Sequence, residues 1–107
     1  HPVLASIVAD NFGYLGQELP KPEPEDGGGV TDVGNVTWET PCIQISFATT
    51  DARGHSREMA NDTVTPRAIE ATRTAVEVMA VSAFDLLYFP GRLEEAQNYL
   101  RARHEKN

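Results

Sequence analysis

Hydrophobic positions recur at two different periods along this chain, and the changes of period predict its elements. Val3, Leu4, Ile7, Val8, Asn11, Phe12 and Leu15 share one side of a helical repeat, and Gly16 tolerates the left-handed backbone that closes a helix. The spacing predicts a helix from about Pro2 to Leu15. Ile43, Ile45 and Phe47 alternate with Gln44 and Ser46, the period of a strand with one apolar face, and Thr49 and Thr50 extend it. Beyond Pro66 the helical period returns. Ile69, Thr72, Val76, Met79, Ala80, Ala83, Phe84 and Leu87 repeat at three and four, while Ala68, Ala71, Ala75, Ala80 and Ala83 permit close packing on a neighbour. These positions predict a long, largely buried helix. Thr65 is placed to cap it, because its hydroxyl can accept from a free amide while Pro66 has no amide to leave unsatisfied. Pro90 breaks the run and starts a second helix, in which Leu93, Ala96, Tyr99 and Leu100 are expected to face inward.

The segments between these elements are of other kinds. Prolines at 20, 22 and 24, interleaved with Lys21, Glu23 and Glu25, remove backbone donors and predict an extended surface connector that ends in Gly27, Gly28 and Gly29. Residues 30–42 show no clean period and read as a turn plus a short helical or irregular stretch. Residues 51–63 are polar and read as a long loop carrying Gly54, His55 and Ser56. The resulting order is helix, Pro-rich connector, Gly-rich loop, strand, loop and two helices, so the expected fold class is α/β. One strand cannot make a sheet, and its partners must lie elsewhere.

With 107 residues the chain is long enough for one domain. No apolar run approaches the roughly 20 residues of a spanning helix, so a membrane protein is not expected. The net charge is −7, and it is unevenly placed: residues 1–52 hold eight acids and one base, whereas residues 53–107 hold eight of each. Such a balance disfavours a nucleic-acid partner, which draws on clustered Lys and Arg. Cys42 is the single cysteine, expected as a small core residue, and it fits a reducing, cytoplasmic setting.

Few residues offer chemistry. The amides of Gly27-Gly28-Gly29-Val30-Thr31-Asp32 could converge on an anion, or the glycines could be a linker with Asp32 capping the next turn. His55, in a polar loop after the strand, is the best candidate for a metal ligand or general base, because imidazole ligates when neutral and titrates near neutral pH. With no second His or Cys at ligand spacing, the isolated sequence favours a solvated loop histidine over a ligand, although Asp51, Glu58 and Asp62 are near enough to orient it or to share a cation. His1 is terminal, His104 lies in a charged helix, and Ser56 has no base and orienting group beside it. The chain contains no complete catalytic constellation.

The order of these pieces is nevertheless specific. Gly28-Gly29-Val30-Thr31-Asp32-Val33-Gly34-Asn35-Val36-Thr37-Trp38, then Thr40-Pro41-Cys42-Ile43-Gln44, Gly54-His55-Ser56, and Ala80 to Leu87 closed by Pro90, resemble the C-terminal end of a metal amidohydrolase. The family is that of the co-catalytic aminoacylases and glutamate carboxypeptidases, and within it the aminobenzoyl-glutamate utilization protein B-like amidohydrolases. Their late motif has the form Gly-Ser-Thr-Asp-Val-Gly-Asp/Asn-Val-Ser-Trp. The resemblance covers residues 27–100. Val30 stands where Ser is usual and Cys42 where a small residue or Thr is usual.

The resemblance implies that residues 1–107 are the C-terminal portion of a catalytic α/β domain: helix 1–16, Pro/Gly connector 17–29, site loops and strand 30–63, and two helices 64–107. It implies two divalent ions, zinc or manganese, in the complete enzyme, which activate a water for attack on the amide of an N-acyl amino acid or dipeptide-like substrate. His55 matches the family's C-terminal histidine ligand. Gly28, Gly29, Thr31 and Asp32 match the Gly-rich segment near the substrate. The family's early His-x-Asp motif, bridging Asp and Glu-Glu pair have no counterpart here. This chain would therefore supply at most one ligand, contain no catalytic residue, and be inactive without the remainder of the domain or a complementary chain. The alternative is a small non-catalytic α/β protein-interaction module. As an excised segment the chain is expected to expose Val76, Met79, Phe84 and Leu87, together with Ile43, Ile45 and Phe47, favouring a homo-oligomer or a complementary fragment.

Overall fold

The computed structural model describes residues 1–17 and 31–105. Five helices make up its regular structure there: α1 (Pro2–Tyr14), α2 (Val33–Glu39), α3 (Arg57–Asp62), α4 (Pro66–Tyr88) and α5 (Pro90–His104). Helices α1, α4 and α5 pack on one another as a three-helix core.

Helix α1 takes the boundaries its period predicts. Leu4, Ile7, Val8, Asn11 and Phe12 are buried, and Gly16 closes the helix at φ +70°. The Gln17 amide donates to the Phe12 carbonyl at 2.9 Å and the Gly16 amide to Gly13 at 3.0 Å, so two otherwise orphaned carbonyls are satisfied. His1 caps the other end. Its Nδ1 accepts from the Leu4 amide at 3.5 Å, Nε2 lies 3.1 Å from the Ala96 carbonyl, and the ring meets Tyr99 edge to face, which fastens α1 to α5.

Thr65 caps α4 as expected, accepting from the Ala68 amide at 3.3 Å, and Pro90 opens α5. The helical period misjudges how much of α4 is buried, whereas the exposure expected of Val76, Met79, Phe84 and Leu87 in the segment is observed. Ala68, Ala75, Val78 and Ser82 are buried, while Ile69, Val76, Met79, Phe84 and Leu87 are exposed, so this helix is not largely buried. Small side chains let α1 approach α4 closely, and the large residues of α1 fill the space. Val8 and Phe12 close on Val78, and Leu4 and Ile7 on Ala96. On α5, Ala96 and Leu100 face inward as expected, but Leu93 and Tyr99 are exposed.

The α/β expectation is overturned: the fold is all-helical, with no strand among the described residues. Ile43, Ile45 and Phe47 do alternate in burial with exposed Gln44, Ser46 and Ala48. Ile43 packs on the Leu4, Ile7 and Ala96 cluster and Ile45 on that of Val8, Phe12 and Val78. The period-2 pattern thus reports an apolar edge lying on helices. A ladder needs a second segment to exchange hydrogen bonds with, and none is present among the described residues. A second correction concerns residues 51–63, read as loop, where Ser56 caps the short helix α3 by accepting from the Met59 amide at 3.1 Å.

One buried polar contact joins all three core helices. The Asn11 amide, in a residue only 6% exposed, donates to Ser82 Oγ and to Asp85 Oδ2, each at 3.1 Å, and Asp85 Oδ2 lies 3.7 Å from Arg92 Nη1 of α5. Removing a buried donor leaves its partners unsatisfied, so Asn11→Ala is expected to lower stability by about 1–3 kcal/mol. Loss of the cap in Thr65→Ala should cost ~1 kcal/mol. Urea midpoints compare the two; an Asn11→Ala variant as stable as the parent would show that the clasp contributes nothing.

Candidate functional site

The candidate residues sit in two places. Thr31 and Asp32 precede α2, and His55 precedes α3. Gly28 and Gly29, the other candidates for substrate contact, lie outside the described residues.

Asp32 is the N-cap residue of α2, but its side chain makes no capping hydrogen bond. Its carbonyl accepts from the Asn35 and Val36 amides at 2.9 and 3.2 Å, and Thr31 Oγ1 accepts from the Val33 amide at 3.4 Å. Both side chains are exposed. At its other end α2 is fastened by Trp38, whose indole stacks on His104 at 5.8 Å between centroids with the Arg103 guanidinium 4.4 Å from its ring centre. The motif Thr31 to Trp38 is therefore a short helix, with its polar start in solvent and its aromatic end clamped to α5.

His55 is exposed, and it is the one non-glycine residue with positive φ, at 60°, among the described residues. Histidine is among the side chains enriched in this left-handed region. The position follows from its neighbours: Gly54 precedes it, and Ser56 must turn extended to cap α3. Ser56 is thereby a structural residue. Among the described residues, none makes a hydrogen bond, ion pair or ring contact with the His55 imidazole.

Three carboxylates could have oriented it, and two are already engaged. Asp51 receives both Arg67 Nη1 at 2.6 Å and Nη2 at 2.8 Å, and Asp62 accepts from the Thr50 hydroxyl. Glu58 lies in the first turn of α3, exposed. Hydrogen bonding from Arg67, followed by its positive charge, holds the Asp51 carboxyl below its ordinary range and raises the guanidinium in turn. These contacts tie the loop to the start of α4, a role invisible in the spacing because Arg67 lies 16 residues from Asp51.

No three His, Cys, Asp or Glu side chains gather closely enough to hold an ion among the described residues. The donor set that is present, one exposed imidazole, does not by itself fit a catalytic ion, which needs about three protein ligands. Cys42 is half-buried and free, away from any such grouping. No helix among the described residues is long and apolar enough to cross a membrane. No family model, curated protein or solved structure matches the chain.

The Asp51–Arg67 pair gives a testable pH signature. A depressed carboxyl pKa stabilises the loop's attachment above the ordinary carboxylate pKa of ~3.9, and this contribution is lost as pH falls through the lowered folded value. Carboxyl-carbon NMR titration of Arg67→Ala is expected to show Asp51 titrating at higher pH than in the parent. Identical curves would mean that the pair does not form in solution.

Proposed function

We propose that this chain is a C-terminal segment of a metal-dependent amidohydrolase of the aminoacylase and glutamate carboxypeptidase type. Its substrate class is an N-acyl amino acid or dipeptide-like amide of the aminobenzoyl-glutamate kind. The observation that carries the reading is His55, held at positive φ between Gly54 and the Ser56 cap with its imidazole uncommitted among the described residues. A side chain kept in an uncommon backbone region and left without a partner is available to ligate. The ordered motifs from Thr31 to Trp38 and from Thr40 to Gln44 support the same reading.

In this reading the division of labour is uneven. His55 contributes one imidazole, while Thr31 and Asp32, with Gly28 and Gly29, contribute polar and backbone groups toward the substrate. The remaining ligands and the general base belong to the remainder of the catalytic domain or to a complementary chain, so the 107 residues alone hydrolyse nothing. The runner-up, a non-catalytic interaction module, would leave His55 without a task.

Coding sequence immediately upstream of His1 is expected to carry His-x-Asp and Glu-Glu motifs in frame. An in-frame stop codon there, with no co-purifying chain that carries those motifs, would sink the reading. In the complete enzyme, His55→Ala is expected to lower bound metal, read by mass spectrometry of the native protein, and to reduce amide hydrolysis by at least ~10-fold, the lower end for loss of groups supporting a metal. Unchanged metal content would remove His55 from the site.

A further inference from the structure

Helix α4 carries a second apolar face that the core does not use. At 100° per residue, Ile69, Thr72, Val76, Met79, Ala80, Ala83 and Leu87 fall within an arc of about 100° that is distinct from the buried Ala68, Ala75, Val78 and Ser82. All seven are exposed, Ile69 by 61%, Val76 by 59%, Met79 by 61% and Leu87 by 81%. None is charged. Beside this stripe runs an apolar groove of ≈ 410 Å³ between α1, α4 and the 43–45 segment, which Met79, Ala83 and Leu86 share with Leu4, Ile43 and Ile45.

We infer that this stripe is a self-complementary interface at which α4 of a second copy packs antiparallel, about a two-fold axis near residue 78. Three observations select a second copy as the occupant. The stripe is symmetric about its middle, with Val76 and Met79 at the centre, small Thr72 and Ala83 on either side and Ile69 and Leu87 at the ends. An antiparallel mate therefore sets large against large at the centre and ends and small against small between, the isologous pairing of a two-fold dimer.

Charge permits it. The acidic surplus that would repel two copies lies in residues 1–52, whereas residues 53–107, which contain α4, hold eight acids and eight bases. The area is of the right order. Four large side chains exposed by 59–81% present on the order of 100 Å² each. They supply about half of the ~800 Å² per partner of a standard interface, and the adjoining groove extends the patch. Exposed apolar patches of more than a few hundred Å² are uncommon on stable monomers. Under the amidohydrolase reading the remainder of the catalytic domain is the rival cover for this face; a second copy is the occupant in the 107-residue chain, where that remainder is absent.

Sedimentation equilibrium of the 107-residue chain at about 50 μM should give a dimer, as an interface of this size with micromolar affinity would be largely occupied there. Met79→Glu and Val76→Glu should each raise the dimer dissociation constant at least ~10-fold, with helicity by circular dichroism unchanged because both positions are exposed. Should either variant lose helicity, a second test decides: in a Cys42→Ser background, Met79→Cys should cross-link two copies through a short bismaleimide while Glu94→Cys, on α5, should not. A monomer at this concentration, open-ended aggregation, a dimer insensitive to both Glu variants, or equal cross-linking at the two positions would each overturn the inference.

Discussion

The packing of this chain depends on the placement of one amide. Asn11 occupies the centre of an otherwise apolar face on α1, and it is buried, so its two N–H donors must find acceptors. They reach Ser82 and Asp85, one turn apart on α4, and Asp85 is in turn neighboured by Arg92 of α5. Apolar contacts alone would let α1 slide along or rotate on α4, because Val8 and Phe12 could find another small-residue groove at similar cost. The hydrogen bonds admit one register, which is how a satisfied buried polar group makes a core unique. The same register brings Leu4 and Ile7 onto Ala96 and lets His1 reach the Ala96 carbonyl.

Helix ends and the buried side of α1 are legible in the sequence because they are decided locally. Thr65 and Pro66, Pro90 and Gly16 act through their own backbone and their neighbours within a turn, so no knowledge of the fold is needed to place them. The buried side of α4 is a tertiary matter. Its uncharged arc is far wider than one neighbour can cover, and sequence periodicity favours the larger residues, Val76, Met79 and Leu87. The structure instead buries Ala75, Val78 and Ser82, because α1 brings its own bulk and requires a shallow surface to receive it. The strand reading of 43–47 fails for a related reason: alternation specifies two faces, and both a sheet and a pair of helices can supply the apolar one.

Chemistry is less legible than packing. His55 stands out in sequence only as a histidine in a polar loop, and its backbone conformation depends on Ser56 becoming a cap, which follows from α3, an element concealed in a run of polar residues. The acids beside it looked like potential partners by proximity along the chain. Asp51 is instead drawn away by Arg67, and Asp62 by Thr50, both to steady the approach to α4. What proximity in sequence could not reveal is competition: Asp51 is held by the Arg67 guanidinium 16 residues away through two charge-assisted hydrogen bonds, and not by the imidazole four residues along.

The molecule thus has two unmet requirements of different physical kinds, on different surfaces. Near α3 an imidazole has no partner among the described residues, and what it requires is charge and directionality, which one or two further ligands would meet. Along α4 an apolar stripe has no cover, and what it requires is area, which any well-shaped uncharged surface would meet. A ligand cannot relieve the second requirement, nor can an apolar face relieve the first, so occupancy of one surface predicts nothing about the other. Charge does not separate the two surfaces, because His55 and α4 both lie in residues 53–107, which hold eight acids and eight bases and offer little electrostatic opposition to close approach. Added salt should therefore affect the α4 surface little, since screening acts on charges and the stripe carries none.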